Sequence, residues 1–316
     1  MRINNRARLF ITYVVLKAET HFLTSVTRKL SSAPEGVGLC SVIHHKYVDL
    51  FINTVLSFQL QTQLHFPIYL VSDGSLTPVD KKRLRSIFQI TIKEANHAEK
   101  KMRKALKDYP YLSQFRFDPK ITPLRVKLDP LLLNPFKKCI YLDSDILFFH
   151  PPSEVLEFIH GQQKAVLYSC RDEEVARTCI PIGDRYEHFF REVLFENWHN
   201  TLDPTFNSGL LCIADKKLFN LELLDKIAQY FFQVGYAYAY LAEETLLSFA
   251  FLPKSVQKLH PFKYANASFY AEYMKYQKPS LISMHYSGCQ GLKTQFQFDA
   301  EHLFRKFCRE LFLKRF

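Results

Sequence analysis

The chain has 316 residues, 47% of them apolar and 23% charged, with a formal charge of +11. That composition excludes a disordered tail protein and a collagen-like fibre, and no run approaches the roughly 18 apolar residues that a membrane-spanning helix needs. Glycine is scarce, at 9 residues, and neither Gly-x-Gly-x-x-Gly nor Gly-x4-Gly-Lys occurs, which argues against a glycine-rich nucleotide loop.

In chain order, Arg2, Arg6 and Arg8 precede an apolar run from Leu9 to Leu16, with Lys17 and Glu19 directly after it. No Ala-x-Ala-like cleavage site follows, so residues 1–36 are expected to be a basic extension, with an amphipathic helix as one form it can take. Pro34 to Gly38 punctuates the chain. Gly38 to Ile43 then reads as a short buried strand. Tyr47 to Gln61 has helical spacing, with Val48, Phe51, Val55 and Phe58 on one stripe. Phe66 to Ser72 is a second strand, closed by Asp73 and Gly74. Thr77-Pro78 opens a further helix with a hydroxyl cap and proline in the first turn. Leu124 to Leu133 is expected to be helical, and Lys138 to Leu142 is a third strand. Strands and helices alternating at these lengths predict an α/β fold, a mostly parallel sheet covered on both faces. In such sheets ligands bind beyond the carboxyl ends of the strands.

Charge and cysteine usage narrow the setting. Lys81 to Lys138 holds sixteen Lys/Arg against five Asp/Glu, so this one stretch carries the whole excess. A solvated helix face and an attraction for anionic partners both explain it. The seven cysteines are odd in number and lack a Cys-x-x-Cys pair, which suits a reducing compartment, the cytoplasm, without a disulfide frame or zinc site. At the C-terminus, Leu303, Phe304, Phe307, Cys308, Leu311 and Phe312 form a double stripe flanked by Arg305, Lys306, Arg309, Lys314 and Arg315. Such a helix either docks on the core or lies on an anionic membrane surface.

The third strand runs straight into Asp143-Ser144-Asp145 and an apolar stretch, Ile146 to Phe149, leaves it. Two carboxylates so close to a core repel each other unless a cation or hydrogen-bond donors compensate. Mg²⁺ and Mn²⁺ take oxygen ligands, often one or two carboxylates plus substrate phosphates. An Asx-turn or cap pair is the alternative.

The segment from Lys127 to Asp145 resembles the centre of the family-eight glycosyltransferases, the group of glycogenin and the bacterial lipopolysaccharide galactosyltransferases. That family carries a basic residue one helix upstream of an Asp-x-Asp, and Lys127 stands 16 residues before Asp143. Phe206-Asn207-Ser208-Gly209 is similar to the family's Phe-Asn-Ser-Gly strand. Glu243-Glu244-Thr-Leu-Leu247 stands at the family's Asp-Gln-x-Leu-Leu, and Met284-His285-Tyr-Ser-Gly288 resembles its C-terminal His-Phe/Tyr-x-Gly.

The resemblance spans about residues 38–293. It implies a GT-A fold over 37–298, and the C-terminal stripe makes 299–316 a basic amphipathic helix beyond it. It implies Asp143, Asp145 and His285 on a divalent cation, Mn²⁺ or Mg²⁺. Lys127, in competition with Arg125, would contact the donor, a UDP-sugar. Ser41, Val42, Tyr47 and Asp73 would lie near the nucleotide, and Ser144, Asn207, Ser208, Gly209 and Gly288 along the donor.

Two positions depart from the family pattern. Its usual lysine six residues after the histidine is Gly291 here, with Lys293 two further on. Its amide beside the anomeric carbon is Glu244, a carboxylate that either stabilises oxocarbenium charge or attacks directly. With Glu243 and Asn207 it completes the expected catalytic set.

The function expected is retaining transfer of a hexose to a glycan, lipid-linked or protein acceptor, with peripheral contact on the inner face of a membrane and no nucleic acid. The alternatives are a catalytically degenerate sugar-nucleotide binder, or a nucleotidyltransferase of the same sheet, which would want a glycine-rich basic loop where His44-His45-Lys46 stands.

Overall fold

The computed structural model describes residues 5–161, 166–171, 205–251, 256–268, 270–277, 279–287 and 290–313. Its strands are β1 (Ser31–Ser32), β2 (Val37–Ile43), β3 (Leu64–His65), β4 (Ile68–Ser72), β5 (Ile90–Lys93), β6 (Lys138–Leu142), β7 (Ile146–Phe148), β8 (Val166–Cys170), β9 (Phe206–Ile213), β10 (Val256–Lys258), β11 (Tyr264–Ala267) and β12 (Ser283–Tyr286). The α-helices are α1 (Asn5–Thr27), α2 (Val48–Thr62), α3 (Pro78–Ile87), α4 (Ala95–Ala105), α5 (Pro110–Phe117), α6 (Leu128–Leu133), α7 (Ser153–His160), α8 (Leu221–Gln233), α9 (Ala242–Ser248), α10 (Tyr270–Tyr276) and α11 (Gln290–Leu313).

Seven strands form the central sheet in the order β10-β8-β9-β6-β2-β4-β5. β9 pairs antiparallel with both β6 and β8, and the other pairs are parallel. The expected mixed α/β architecture with a mostly parallel sheet is therefore present. Nearly every residue of β2, β4 and β6 is buried, as parallel strands covered on both faces should be.

The direction of β9 matters for function. Because it runs against β6, its first residues lie at the carboxyl end of β6, with Leu210 opposite Leu142. A second sheet, β11-β12-β7, grows from the same point. β7 leaves the Asp143–Asp145 turn and pairs antiparallel with β12, so that His285 faces Ile146. Tyr286 also donates its N–H to the Asp145 carbonyl at 2.9 Å. Three segments separated by more than sixty residues thus meet at one strand end.

Helices close both faces. α2 is buried on almost every side, its polar Asn53, Thr54, Ser57 and Gln59 included. α3 opens with the expected cap: the Thr77 hydroxyl accepts from the Asp80 N–H, and the Asp80 carboxylate accepts from the Thr77 N–H. Of the sixteen cations of the basic stretch four lie on α3 and four on α4; on α4, Ala98 and Met102 face inward while Lys100, Lys101, Arg103 and Lys104 are exposed.

α1 and α11 pack on one another, with a Phe22–Phe312 ring stack (6.2 Å between centroids) and a Glu19–Arg305 ion pair at 3.6 Å. Leu16 and Leu23 of α1 are buried in the main core. Most of the C-terminal stripe is also held there: Leu303 and Phe304 are buried, Phe307, Cys308 and Leu311 pack against the core, and only Phe312 and Leu313 stand out. The boundary expected at 298/299 lies inside α11, which starts at Gln290. No described helix is long and apolar enough to cross a membrane.

Candidate active site

Strand ends bring the chemistry together. Asp143 follows β6 directly, and its N–H donates to the Gly209 carbonyl at 2.8 Å. The imidazole of His285 places Nε2 3.1 Å from Asp145 Oδ1 and 3.7 Å from Asp143 Oδ2. One ligand atom from each of the three residues falls within 4.8 Å of the others. Gly209 makes this possible: a Cβ there would stand 2.5 Å from His285 Cε1 and Nδ1. Gly209, expected along the donor, leaves the space beside its Cα to the His285 ring.

Positive charge is supplied from the neighbouring layer. Lys127 ends the 3₁₀ turn Pro123–Lys127 ahead of α6. Its Nζ donates to Asp143 Oδ2 at 2.9 Å and to the Ser208 hydroxyl at 2.8 Å. Burial alone would lower the lysine pKa, but Asp143, Glu243 and Glu244 more than reverse that, so the ammonium is held above its ordinary value. Arg125 points elsewhere, donating to the carbonyls of Arg116 and Thr122 at 3.2 and 3.0 Å. Burial pushes Asp145 up, yet His285, Lys293 and Lys127 outweigh it and the carboxyl sits below its usual range.

The two adjacent glutamates at the start of α9 differ. Glu244 accepts from Arg171 Nη1, from Asn207 Nδ2 at 3.1 Å and from the Ser208 N–H at 3.4 Å. Glu243 is 1% exposed, and neither of its carboxylate oxygens has a hydrogen-bond partner. Burial pushes its pKa up to about 8. Lys127 opposes the shift while Glu244 and Asp143 add to it, and the nearby Ser208 hydroxyl tempers it without a hydrogen bond of ordinary geometry.

The remaining expected residues divide. Lys293 reaches back to the first part of the chain, donating to the Tyr47 hydroxyl at 2.6 Å with its ammonium 3.8 Å from that ring's centroid. Its charge is felt at Asp145. The Ser41 hydroxyl donates to the Leu142 carbonyl at 2.7 Å, and Val42 is half-buried beside it. Asp73 is engaged in its own turn, accepting from the Ser75 N–H and hydroxyl at 3.0 and 2.6 Å. The Ser144 carbonyl accepts from Thr54 at 2.9 Å. Gly288 lies outside the described residues.

Two side chains of the site were not anticipated from sequence. The Tyr141 hydroxyl donates to Asp143 Oδ1 at 2.8 Å. Its place two residues before Asp143 on a strand, hence on the same face, was a readable signal. Arg171 carries no local signal; only the burial of two consecutive glutamates in α9 would have called for a nearby cation.

No protein-family model matches the chain, and no curated protein sequence matches it. Solved structures do match. The galactosyltransferase LgtC, in complex with donor and acceptor sugar analogs, is 12% identical over 85% of this chain and 95% of its own, with a TM-score of 0.52. An active-site variant of LgtC in which glutamine is replaced by glutamate is 13% identical over 83% and 94%, with a TM-score of 0.50. At this identity the likeness is one of fold: the chain has the GT-A glycosyltransferase architecture.

Proposed function

We propose that the protein is a metal-dependent glycosyltransferase that moves a hexose from a UDP-sugar to a glycan, lipid-linked or protein acceptor, with retention at the anomeric carbon. The observation that carries this reading is the convergence of Asp143, Asp145 and His285 at the carboxyl end of the central strands, beside a buried lysine. The fold shared with LgtC, a galactosyltransferase solved with donor and acceptor sugar analogs, supports it.

The donor set suits a hard divalent cation, Mn²⁺ or Mg²⁺: two carboxylates and one imidazole nitrogen. Asn207 Oδ1 accepts the Gly209 N–H at 3.0 Å and faces His285 Nδ1 at 3.1 Å, so the proton belongs on Nδ1. Nε2 then faces Asp145 Oδ1 at 3.1 Å, and two acceptors at that distance repel unless a proton or a metal ion lies between them; a proton there is what lets His285 lower the Asp145 carboxyl, and a divalent cation would take that proton's place. When bound, a divalent cation supplies Lewis-acid neutralisation of charge on the leaving diphosphate.

The chain's own groups do the rest. Lys127 holds a fixed positive charge at the floor of the site, where diphosphate charge builds up as the anomeric C–O bond breaks. Lys293 adds a second cation at the side held by Tyr47. Ser41, Val42, Tyr47 and Asp73 border the nucleotide. Asn207, Ser208 and Gly209 line the donor side. Glu243 lies behind this face with both oxygens out of solvent and acts through its charge coupling to Lys127 and Asp143 rather than by touching the sugar. A peripheral contact with an anionic membrane on the cytoplasmic side would rest on Phe312, Leu313, Lys306 and Arg309 at the tip of α11.

Donor hydrolysis and transfer, measured for several sugar nucleotides with and without Mn²⁺, test this reading. Asp145→Asn is expected to keep the fold and to lower metal-dependent turnover by at least roughly a hundredfold. Unchanged turnover in that variant removes the assignment.

A further inference from the structure

Glu244 sits where a catalytic carboxylate is expected, yet both of its oxygens are committed to the protein. Arg171 Nη1 holds Oε1 and also donates to the Phe206 carbonyl at 2.9 Å. Asn207 Nδ2 holds Oε2 at 3.1 Å, with the Ser208 N–H beside it at 3.4 Å. All three groups are buried: Arg171 is 6% exposed, Glu244 7% and Asn207 2%.

The consequence lies one residue further on. A carboxylate only accepts, so the Asn207 group facing Glu244 must be its NH₂. Oδ1 is thereby turned the other way, onto the fixed Gly209 N–H at 3.0 Å, with the Ser169 hydroxyl, whose one proton the Asn207 carbonyl also takes at 3.3 Å, beside it at 3.1 Å. The same oxygen faces His285 Nδ1 at 3.1 Å. Since Oδ1 can only accept, Nδ1 must carry a proton, and Nε2 is the nitrogen turned towards Asp143 and Asp145.

We propose that Arg171, Glu244 and Asn207 form a positioning relay that fixes the proton of His285 on Nδ1 and keeps Nε2 available to a divalent cation. Glu244 is in this account a positioning residue, not the group that attacks the sugar. The proposal rests on the metal-centre reading above and deepens it. Residues behind a metal ligand commonly set its orientation and basicity.

An exchange of functional groups tests the relay. In Glu244→Gln, two amides face each other, and one contact becomes donor-to-donor whichever way they turn. The pair Asn207→Asp with Glu244→Gln restores the pattern with the charge moved: Gln donates to Asp, Asp accepts from His285 Nδ1 and the Gly209 N–H, and Arg171 keeps an acceptor. Mn²⁺ binding is read from the free-ion electron paramagnetic resonance signal. The His285 Nδ1–H resonance is read in metal-free protein labelled with ¹⁵N-histidine.

The relay predicts a protected Nδ1–H in the native chain, its loss in Glu244→Gln with Mn²⁺ affinity down about 10–100-fold, and recovery of both in the double variant. Native Mn²⁺ affinity in Glu244→Gln, or a double variant no better than the single, overturns it. If the native chain takes up no Mn²⁺, the metal reading falls, and the Nδ1–H comparison alone decides the relay: loss and recovery support it, and no change overturns it.

Discussion

Two buried ion pairs begin two residues apart and serve different ends. Asp129, fully buried in α6, is held by Arg116 of α5 through one edge of the guanidinium, Nε to Oδ1 at 2.5 Å and Nη2 to Oδ2 at 2.6 Å. Burial lifts its carboxyl above the usual range even so, with Arg116 opposing. The pair is closed, each carboxylate oxygen answered by its own donor. Lys127 and Asp143 form the other pair. Here the ammonium takes Oδ2 and the Tyr141 hydroxyl takes Oδ1, yet the Asp143 side chain stays 18% exposed where that of Asp129 is 0%, and its Oδ2 lies 3.7 Å from His285 Nε2, in the cluster shared with Asp145. A closed pair can only hold the helical layer together. An open one leaves capacity for a ligand.

Breaking the closed pair should produce the largest change. Arg116→Met leaves an uncompensated buried charge and is expected to lower stability by about 3–5 kcal/mol, measured by urea denaturation, with the metal affinity of the folded fraction unchanged. A loss below 1 kcal/mol would mean that the pair is not closed.

Next comes Gly209→Ala. Its methyl would meet the His285 ring at 2.5 Å, and overpacking of this kind costs about 1–3 kcal/mol. We expect Mn²⁺ affinity to fall by more than tenfold. Native affinity would show that the ring has room to move.

The last effect concerns Glu243 and shows only as a change with pH. Its folded-state pKa, near 8, stands above the ordinary value of 4.5, so the native state binds this proton more tightly than the unfolded chain does. Its contribution is full below about pH 4.5 and is lost as pH rises through 8. Glu243→Gln should therefore flatten the decline of stability between pH 5 and 9, by an amount on the order of one to a few kcal/mol. An identical pH slope in the variant would place the true pKa in the ordinary range.

The sequence exposed one side of this comparison better than the other. Asp143 and Asp145 were legible because an apolar strand runs into them, and His285 because a short apolar strand precedes it. Both are local patterns that survive without a structure. The central strands were legible for the same reason. Arg116 and Arg171 were not, because their meaning depends on Asp129 and Glu244, carboxylates that the fold brings alongside. The role of α1 was hidden as well. Its Leu16 and Leu23 read as part of a basic extension until α2 and α11 give them a surface to bury. Lys293 stood two places from its expected position, and only the long-range contact with Tyr47 shows where its charge lies.

The central claim is that two carboxylates and an imidazole hold one divalent ion. Anomalous scattering from crystals soaked in Mn²⁺ addresses it directly. The account predicts a single strong peak within bonding distance of Asp143, Asp145 and His285 Nε2, absent in Asp145→Asn crystals of the same fold. A map with no peak there, or a peak that survives the substitution unchanged, would contradict it.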